Sequence, residues 1–402
     1  MKLRSVKRAL AAAAFGGFLS LAVIPGVARA ADALRPEVAK PLNDAQNLYR
    51  AHNYRGALDK IAQAAAVPGK TAYETRVIEE MQGAAAAAGG NPGVAAQAYE
   101  ALLSSGQLDG AGVQQFSAAL AGLYFQQKNY AAAIRTAQRY EKAGGTDAQM
   151  RELLLQSYFL SGDCGNVVAT LKPGIDAALK AGHPPAESQL QMLVECGQKT
   201  KDAAASSEAL AALVAYYPTP AYEERLFDTV RGKPGYFASL DLDIDRLRRA
   251  TGTLTTSEQY MEMTQLSLVA GIPAEAKQVI DEGFASGVLG HGAQAERERR
   301  LQALVVRRLQ GQTDGNDLPV DLVDGSFNHV FAGQAQQGID GINTAIGKGE
   351  AHADAARLRL GEAYYYAGQK ARAAQAFRSV KGDDGSAELA RLWTLVVDKR
   401  GG

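Results

Sequence analysis

Leu360-Gly361-Glu362-Ala363-Tyr364, followed by Gly368 and then by Ala373 and Phe377, decides how this chain folds. The stretch reads L-G-x-x-Y, a glycine, then A-x-x-x-F. Gly361 and Ala373 are small, so two antiparallel helices can meet backbone to backbone at those points. Tyr364 and Phe377 fill the space beside them. Gly368 turns the chain between the helices, because glycine alone enters the left-handed region without cost. The pattern predicts a helical hairpin.

The same skeleton recurs upstream in weaker form. One copy carries Ala45, Leu48, Tyr54, Ala57 and Ile61; the next carries Gly83, Ala86, Gly90, Ala95 and Tyr99. A third has Ala121, Tyr124, Tyr130, Ala133 and Ala137, and a fourth Leu155, Tyr158, Gly162, Val167 and Leu171. A later one has Gly271, Ala276 and Ile280 around the turn Gly271-Ile272-Pro273. Copies in the first half start roughly 34 to 38 residues apart, a period that suits a helix–turn–helix unit. Alanine is abundant throughout and favours helix, whereas alternating β-branched runs are nearly absent. The expected class is all-α.

The repeat resembles the tetratricopeptide repeat, most closely in the copy at 360–377 and less specifically elsewhere. The resemblance implies a tetratricopeptide-like α-solenoid: a right-handed superhelix of antiparallel helix pairs, here with degenerate repeats in the middle. It further implies that the first helix of each pair lines a concave wall that binds extended peptides or partner proteins. Carried over position by position, the inward-facing residues are Gln46, Tyr49 and Arg50 in the first copy, then Phe125 and Gln126 in the third. The fourth contributes Gln156, Phe159 and Leu160, a later copy Gln265, and the C-terminal copy Glu362, Tyr365 and Tyr366. Aromatic rings beside amides suit peptide backbones and sugar faces equally, since rings stack and amides both donate and accept. The same aromatics could instead pack against the neighbouring repeat.

The N-terminus carries an address. Lys2, Arg4, Lys7 and Arg8 form a basic start, an apolar run follows from Ala9 to Val27, and Ala28-Arg29-Ala30 closes it with small residues where a signal peptidase reads. Residues 1–30 are therefore expected to be a cleaved secretory signal peptide. The competing reading, an uncleaved anchor, is opposed by Pro25 and Gly26 and by a run at the short end for spanning a bilayer. The expected location is the periplasm. Losing the leader's five basic residues (Arg29 is the fifth) leaves 38 basic against 43 acidic residues, a net charge near −5. With no basic run, the chain is a poor candidate for binding nucleic acid, where neutralising phosphates supplies most of the affinity. Nor does its sequence show a polybasic membrane patch.

Further along, residues 31–310 are expected to form an N-terminal helical-repeat superhelix. Pro218, Pro220 and Pro234 punctuate its degenerate middle, and Glu296-Arg297-Glu298-Arg299-Arg300 marks a charged, solvated helix face. Residues 311–325, rich in Gly, Asn, Asp and Pro, read as a loop or linker. Residues 326–402 form a C-terminal helical-repeat unit whose last helix, with Trp393, serves as a cap.

The two cysteines persist as a disulfide in an exported protein. In the repeat frame, Cys164 begins the second helix of its pair and Cys196 ends the first helix of the next. Antiparallel packing would bring those ends together, so a Cys164–Cys196 bridge is expected; two buried free thiols are the alternative. The spacing fits neither a redox nor a zinc motif.

Chemistry-bearing motifs are otherwise missing from the sequence. His52, His183, His291, His329 and His352 form no HxxxH or HExxH arrangement. Asp241-Leu242-Asp243-Ile244-Asp245 begins like a calcium loop, but Arg246 and Gly252 stand where such a loop needs glycine and glutamate. Phosphate-binding and nucleophile-elbow motifs do not occur. No metal, cofactor or catalytic residue is expected. The sequence thus predicts a non-enzymatic scaffold holding a protein or peptide of the cell envelope. The alternative is a cell-wall glycan binder, or a glycan-cleaving enzyme using two carboxylates that folding brings together.

Overall fold

The computed structural model describes residues 33–311, 321–349 and 352–399. The expected leader, its cleavage residues Ala28 and Ala30, and most of the expected linker lie outside the described residues. Among these there are twenty α-helices and no strand, and no helix is long and apolar enough to cross a membrane. The expected all-α, tetratricopeptide-like architecture is what the chain adopts.

The first eight helices are α1 (Pro36–Arg50), α2 (Tyr54–Ala65), α3 (Ala72–Ala88), α4 (Pro92–Ser104), α5 (Gly110–Gln126), α6 (Tyr130–Lys142), α7 (Ala148–Ser161) and α8 (Cys164–Lys180). Then come α9 (Glu187–Lys199), α10 (Ala203–Tyr216), α11 (Pro220–Arg231), α12 (Leu240–Thr251), α13 (Ser257–Val269) and α14 (Pro273–Ala285). The last six are α15 (Ala295–Leu309), α16 (Leu322–Phe331), α17 (Ala335–Gly347), α18 (Ala353–Tyr366), α19 (Lys370–Ser379) and α20 (Ser386–Lys399).

One turn is used again and again. After the first helix of a pair comes a residue with positive φ; the next residue's N–H then returns to a carbonyl five positions back. At Gly368 (φ 74°) the bond is Gln369 N–H to Tyr364 O, 2.8 Å. The same closure occurs at Asn53, Asn91, Asn129, Asp163, Asp202, Ile272 and Gln334. It satisfies carbonyls that the helix end leaves open. Asn53, Asn129 and Asp202 also cap the following helix by accepting the N–H three residues on. Where glycine is missing, His52, Lys128 and Lys201 take the left-handed conformation instead.

The small residues behave as the hairpin pattern requires. A Cβ added to Gly361 would overlap the Phe377 ring, and one added to Gly83 would overlap Tyr99. At Gly338 it would come within 2.6 Å of the Ser326 carbonyl oxygen.

The chain divides into two compact units, residues 1–167 and 168–402, with the division inside α8. In the first, each helix from α1 to α6 packs on the next, and α1 also touches α3 as α5 touches α7. That is the stacking of a linear repeat array. In the second unit α20 packs not only on α18 and α19 but also on α10, α11 and α12. The helix expected as a terminal cap is thus an interior element, and Trp393 on it is fully buried. One core runs from Leu242 to Ala363, so the helices on either side of residues 312–320 share it. Both cysteines are disulfide-bonded and neither is free; as the chain has only two, the expected Cys164–Cys196 bridge is present.

Candidate partner-binding surfaces

Of the twelve residues expected to face a partner, eight lie in the first unit and four in the second. In the first unit these residues lie on α1, α5 and α7, each the first helix of its pair. Arg50, Gln126 and Leu160 are exposed there, Leu160 at 43%. Gln46, Tyr49, Phe125, Gln156 and Phe159 are half-buried. Tyr49 packs edge-on to Tyr54 with centroids 5.3 Å apart, and Phe125 does the same to Tyr130 at 5.7 Å. These contacts run to the second helix of the same hairpin, so each ring is braced by its own repeat. Gln156 donates to Glu152 at 2.8 Å along its own helix.

Helix α5 carries a feature that the sequence pattern passed over. Gly122 sits in mid-helix, where glycine costs about 0.5–1 kcal/mol relative to alanine. Gly83, Gly338 and Gly361 admit a neighbouring side chain or backbone, whereas a Cβ on Gly122 would meet nothing within 4 Å, as is also true of Gly174 on α8. It lies on the face of Phe125 and Gln126, three and four residues on, opposite the buried Phe116, Leu120 and Ala121. On α3 the corresponding face holds Ala84, Ala87 and the half-buried Glu80, whose carboxyl is raised by burial against the pull of Arg76.

The second unit treats its inner residues differently. Glu362 is fully buried, so it cannot reach a partner: its carboxylate accepts from Trp393 Nε1 at 2.9 Å and from Arg246 Nη1 at 3.2 Å. Arg246, fully buried on α12, also binds Asp243 at 2.8 Å and both oxygens of Glu275. Its guanidinium stands over the Phe327 ring, 4.2 Å from the centroid. Beside it Arg359 reaches Asp324 at 2.9 Å and Asp243 at 3.4 Å. Four carboxylates and two guanidiniums thus share one enclosed space.

Burial raises the Glu362 carboxyl well above its usual range, helped by the Asp243 charge and opposed by Arg246 and Arg359. Burial likewise pushes Asp324 up to about 6, with Arg359 opposing. These groups are committed to one another. Tyr365 and Tyr366, both half-buried, lean on Trp393 and on Phe331, each with centroids 4.8 Å apart. Only Gln265 of this set is exposed.

The Asp241–Asp245 run is helical rather than a loop, and Asp243 spends its charge on two arginines. Nothing in the spacing could have shown that Arg246 meets a residue 116 positions away.

No protein-family model matches the chain, and no curated protein does. Among solved structures, the chain is similar to one described as Naa15/Naa10 bound to HypK-THB, at 14% identity and a TM-score of 0.33. That match covers 86% of this chain and spans 58% of the other. It is also similar to the TPR domain of P58(IPK), at 13% identity and a TM-score of 0.24, covering 88% of this chain and 98% of that one.

Proposed function

We propose that the protein is an exported, periplasmic interaction scaffold, and that it holds an extended segment of an envelope protein along the first-helix wall of its first unit. The observation that carries this reading is Gly122. A glycine on an open helix face costs stability but lets another chain approach the backbone closely. Phe125 and Gln126 flank it with a ring to stack on and an amide to pair with a peptide bond. Glu80 on α3 supplies an acceptor for an N–H or a cation. The leader-like residues 1–30 support export, and the Cys164–Cys196 bridge suits an oxidising compartment.

The test is a crosslinking pull-down from envelope extracts, comparing the protein with a Tyr49→Ala, Phe125→Ala, Phe159→Ala variant. A discrete partner captured by the first and lost by the second, with unchanged helical content, is the expected result. A partner captured equally by both would place binding elsewhere. Capture of nothing but peptidoglycan fragments would replace a protein ligand with a glycan.

A further inference from the structure

In sequence, Glu296-Arg297-Glu298-Arg299-Arg300 sets two carboxylates against three guanidiniums; the fold takes one carboxylate off the surface. Glu298 turns inward and is 1% exposed. Its carboxylate accepts from Ser257 Oγ and from the Gly290 N–H, each at 2.6 Å. Arg297, Arg299, Arg300 and Arg307 all remain exposed on α15 and make no ion pair among the described residues. Glu296 is the one exposed carboxylate on the helix. On the neighbouring α14, Asp281 is taken by Lys277 and Glu282 by Arg249.

Helix α15 belongs to no hairpin. It buries only Glu298, Leu301 and Val305 against α13 and α14, leaving most of its circumference in solvent. On that open arc Val306 and Leu309, 44% and 41% exposed, lie beside the arginines. At 100° per residue Val306 falls next to Arg299, with Arg300 and Arg307 one step further round. Arginines that can fork onto phosphate oxygens, with aliphatic side chains between them, are the makings of a helix that lies on a lipid headgroup layer.

We infer that the outer face of α15 is a peripheral docking surface for an anionic phospholipid bilayer. Guanidiniums take the headgroup phosphates, while Val306 and Leu309 enter the boundary below them. The surface lies in the second unit and is independent of the wall in the first. It would hold the scaffold at a membrane without any spanning segment.

The test is flotation with vesicles of phosphatidylcholine containing phosphatidylglycerol, at low salt, using the chain from Ala31 so that the apolar residues 9–27 play no part. Binding should be absent on pure phosphatidylcholine and should fall with salt. Arg299→Glu with Arg307→Glu should weaken it at least about tenfold, and Val306→Ser with Leu309→Ser by about fivefold. All four side chains are exposed, so an unchanged melting curve is expected for both variants. No flotation, or flotation unaltered by the charge reversal, overturns the inference. So does retention on immobilised polyglutamate without flotation, which would make the partner an acidic protein, and so does release by dilute inorganic phosphate alone.

Discussion

Arg246 and Glu275 meet through two parallel hydrogen bonds, Nε to Oε1 and Nη2 to Oε2, each 2.8 Å long and wholly out of water. The remaining nitrogen serves Asp243 and Glu362. Removing one partner of such a cluster strands charges that burial penalises, at about 3–5 kcal/mol. Arg246→Ala should therefore lower the stability of the second unit by about that much. Arg246→Lys should fall between, since an ammonium keeps the charge but not the fork. Trp393, the chain's single tryptophan, donates to the same cluster, so its fluorescence in a urea titration reports on this unit directly. An unchanged midpoint for Arg246→Ala would contradict the account.

Two carboxylates should give the chain opposite pH limbs. Glu74 is held at about 2, from an ordinary 4.5, chiefly by the Arg35 side chain that donates to it, and further by the Thr71 and Arg35 backbone N–H groups. Its contribution is complete above about 4.5 and is lost as pH falls toward 2. Asp324 goes the other way. Burial raises it from 3.8 to about 6, so the folded state binds its proton more tightly. Stability from this group is greatest below 3.8 and declines as pH rises through 6. Thermal melts from about pH 2 to about pH 7 should show Glu74→Gln flattening the acid limb and Asp324→Asn flattening the limb between the two Asp324 values.

The hairpins were legible where a short-range pattern creates them. Gly361 and Phe377 stand in the contact that their spacing implies, and Gly368 makes the turn. The pair α9–α10 was not among the copies read, although Lys201 turns its chain as His52 and Lys128 turn those of α1–α2 and α5–α6, and Asp202 supplies the cap. Side-chain identity alone does not reveal a left-handed lysine. In the first unit the helix positions follow repeat position, for there each helix meets mainly its neighbours in the chain. That rule fails in the second unit, where α20 returns to α10, α11 and α12. Contacts between distant elements then decide exposure, and Glu362 goes to the interior. The α15 surface was hidden for a related reason: Glu298 counts in the sequence charge but not in the surface charge.

The Cys164–Cys196 bridge closes a loop of intermediate length. In the chain-entropy model such a loop stabilises by roughly 3–4 kcal/mol. Urea unfolding with and without reductant should show the protein losing about that much, while Cys164→Ala with Cys196→Ala should be insensitive to reductant. Equal midpoints for the native chain in both conditions would mean that the unfolded state gains little freedom when the bond opens.

Glycine replacements separate packing from binding. Gly83→Ala and Gly361→Ala each drive a methyl group into a ring, Tyr99 in one case and Phe377 in the other. Overpacking of this kind costs about 1–3 kcal/mol, and both variants should melt earlier. Gly122→Ala meets open space, so it should instead stabilise α5 by about 0.5–1 kcal/mol through reduced backbone freedom in the unfolded chain. Gly122→Leu should also fold, yet its side chain would occupy the place a partner's backbone needs. A more stable Gly122→Ala together with a folded, capture-defective Gly122→Leu would show that the glycine is kept for the ligand. Undiminished capture by Gly122→Leu would leave the open position without a binding role and move the search away from α5.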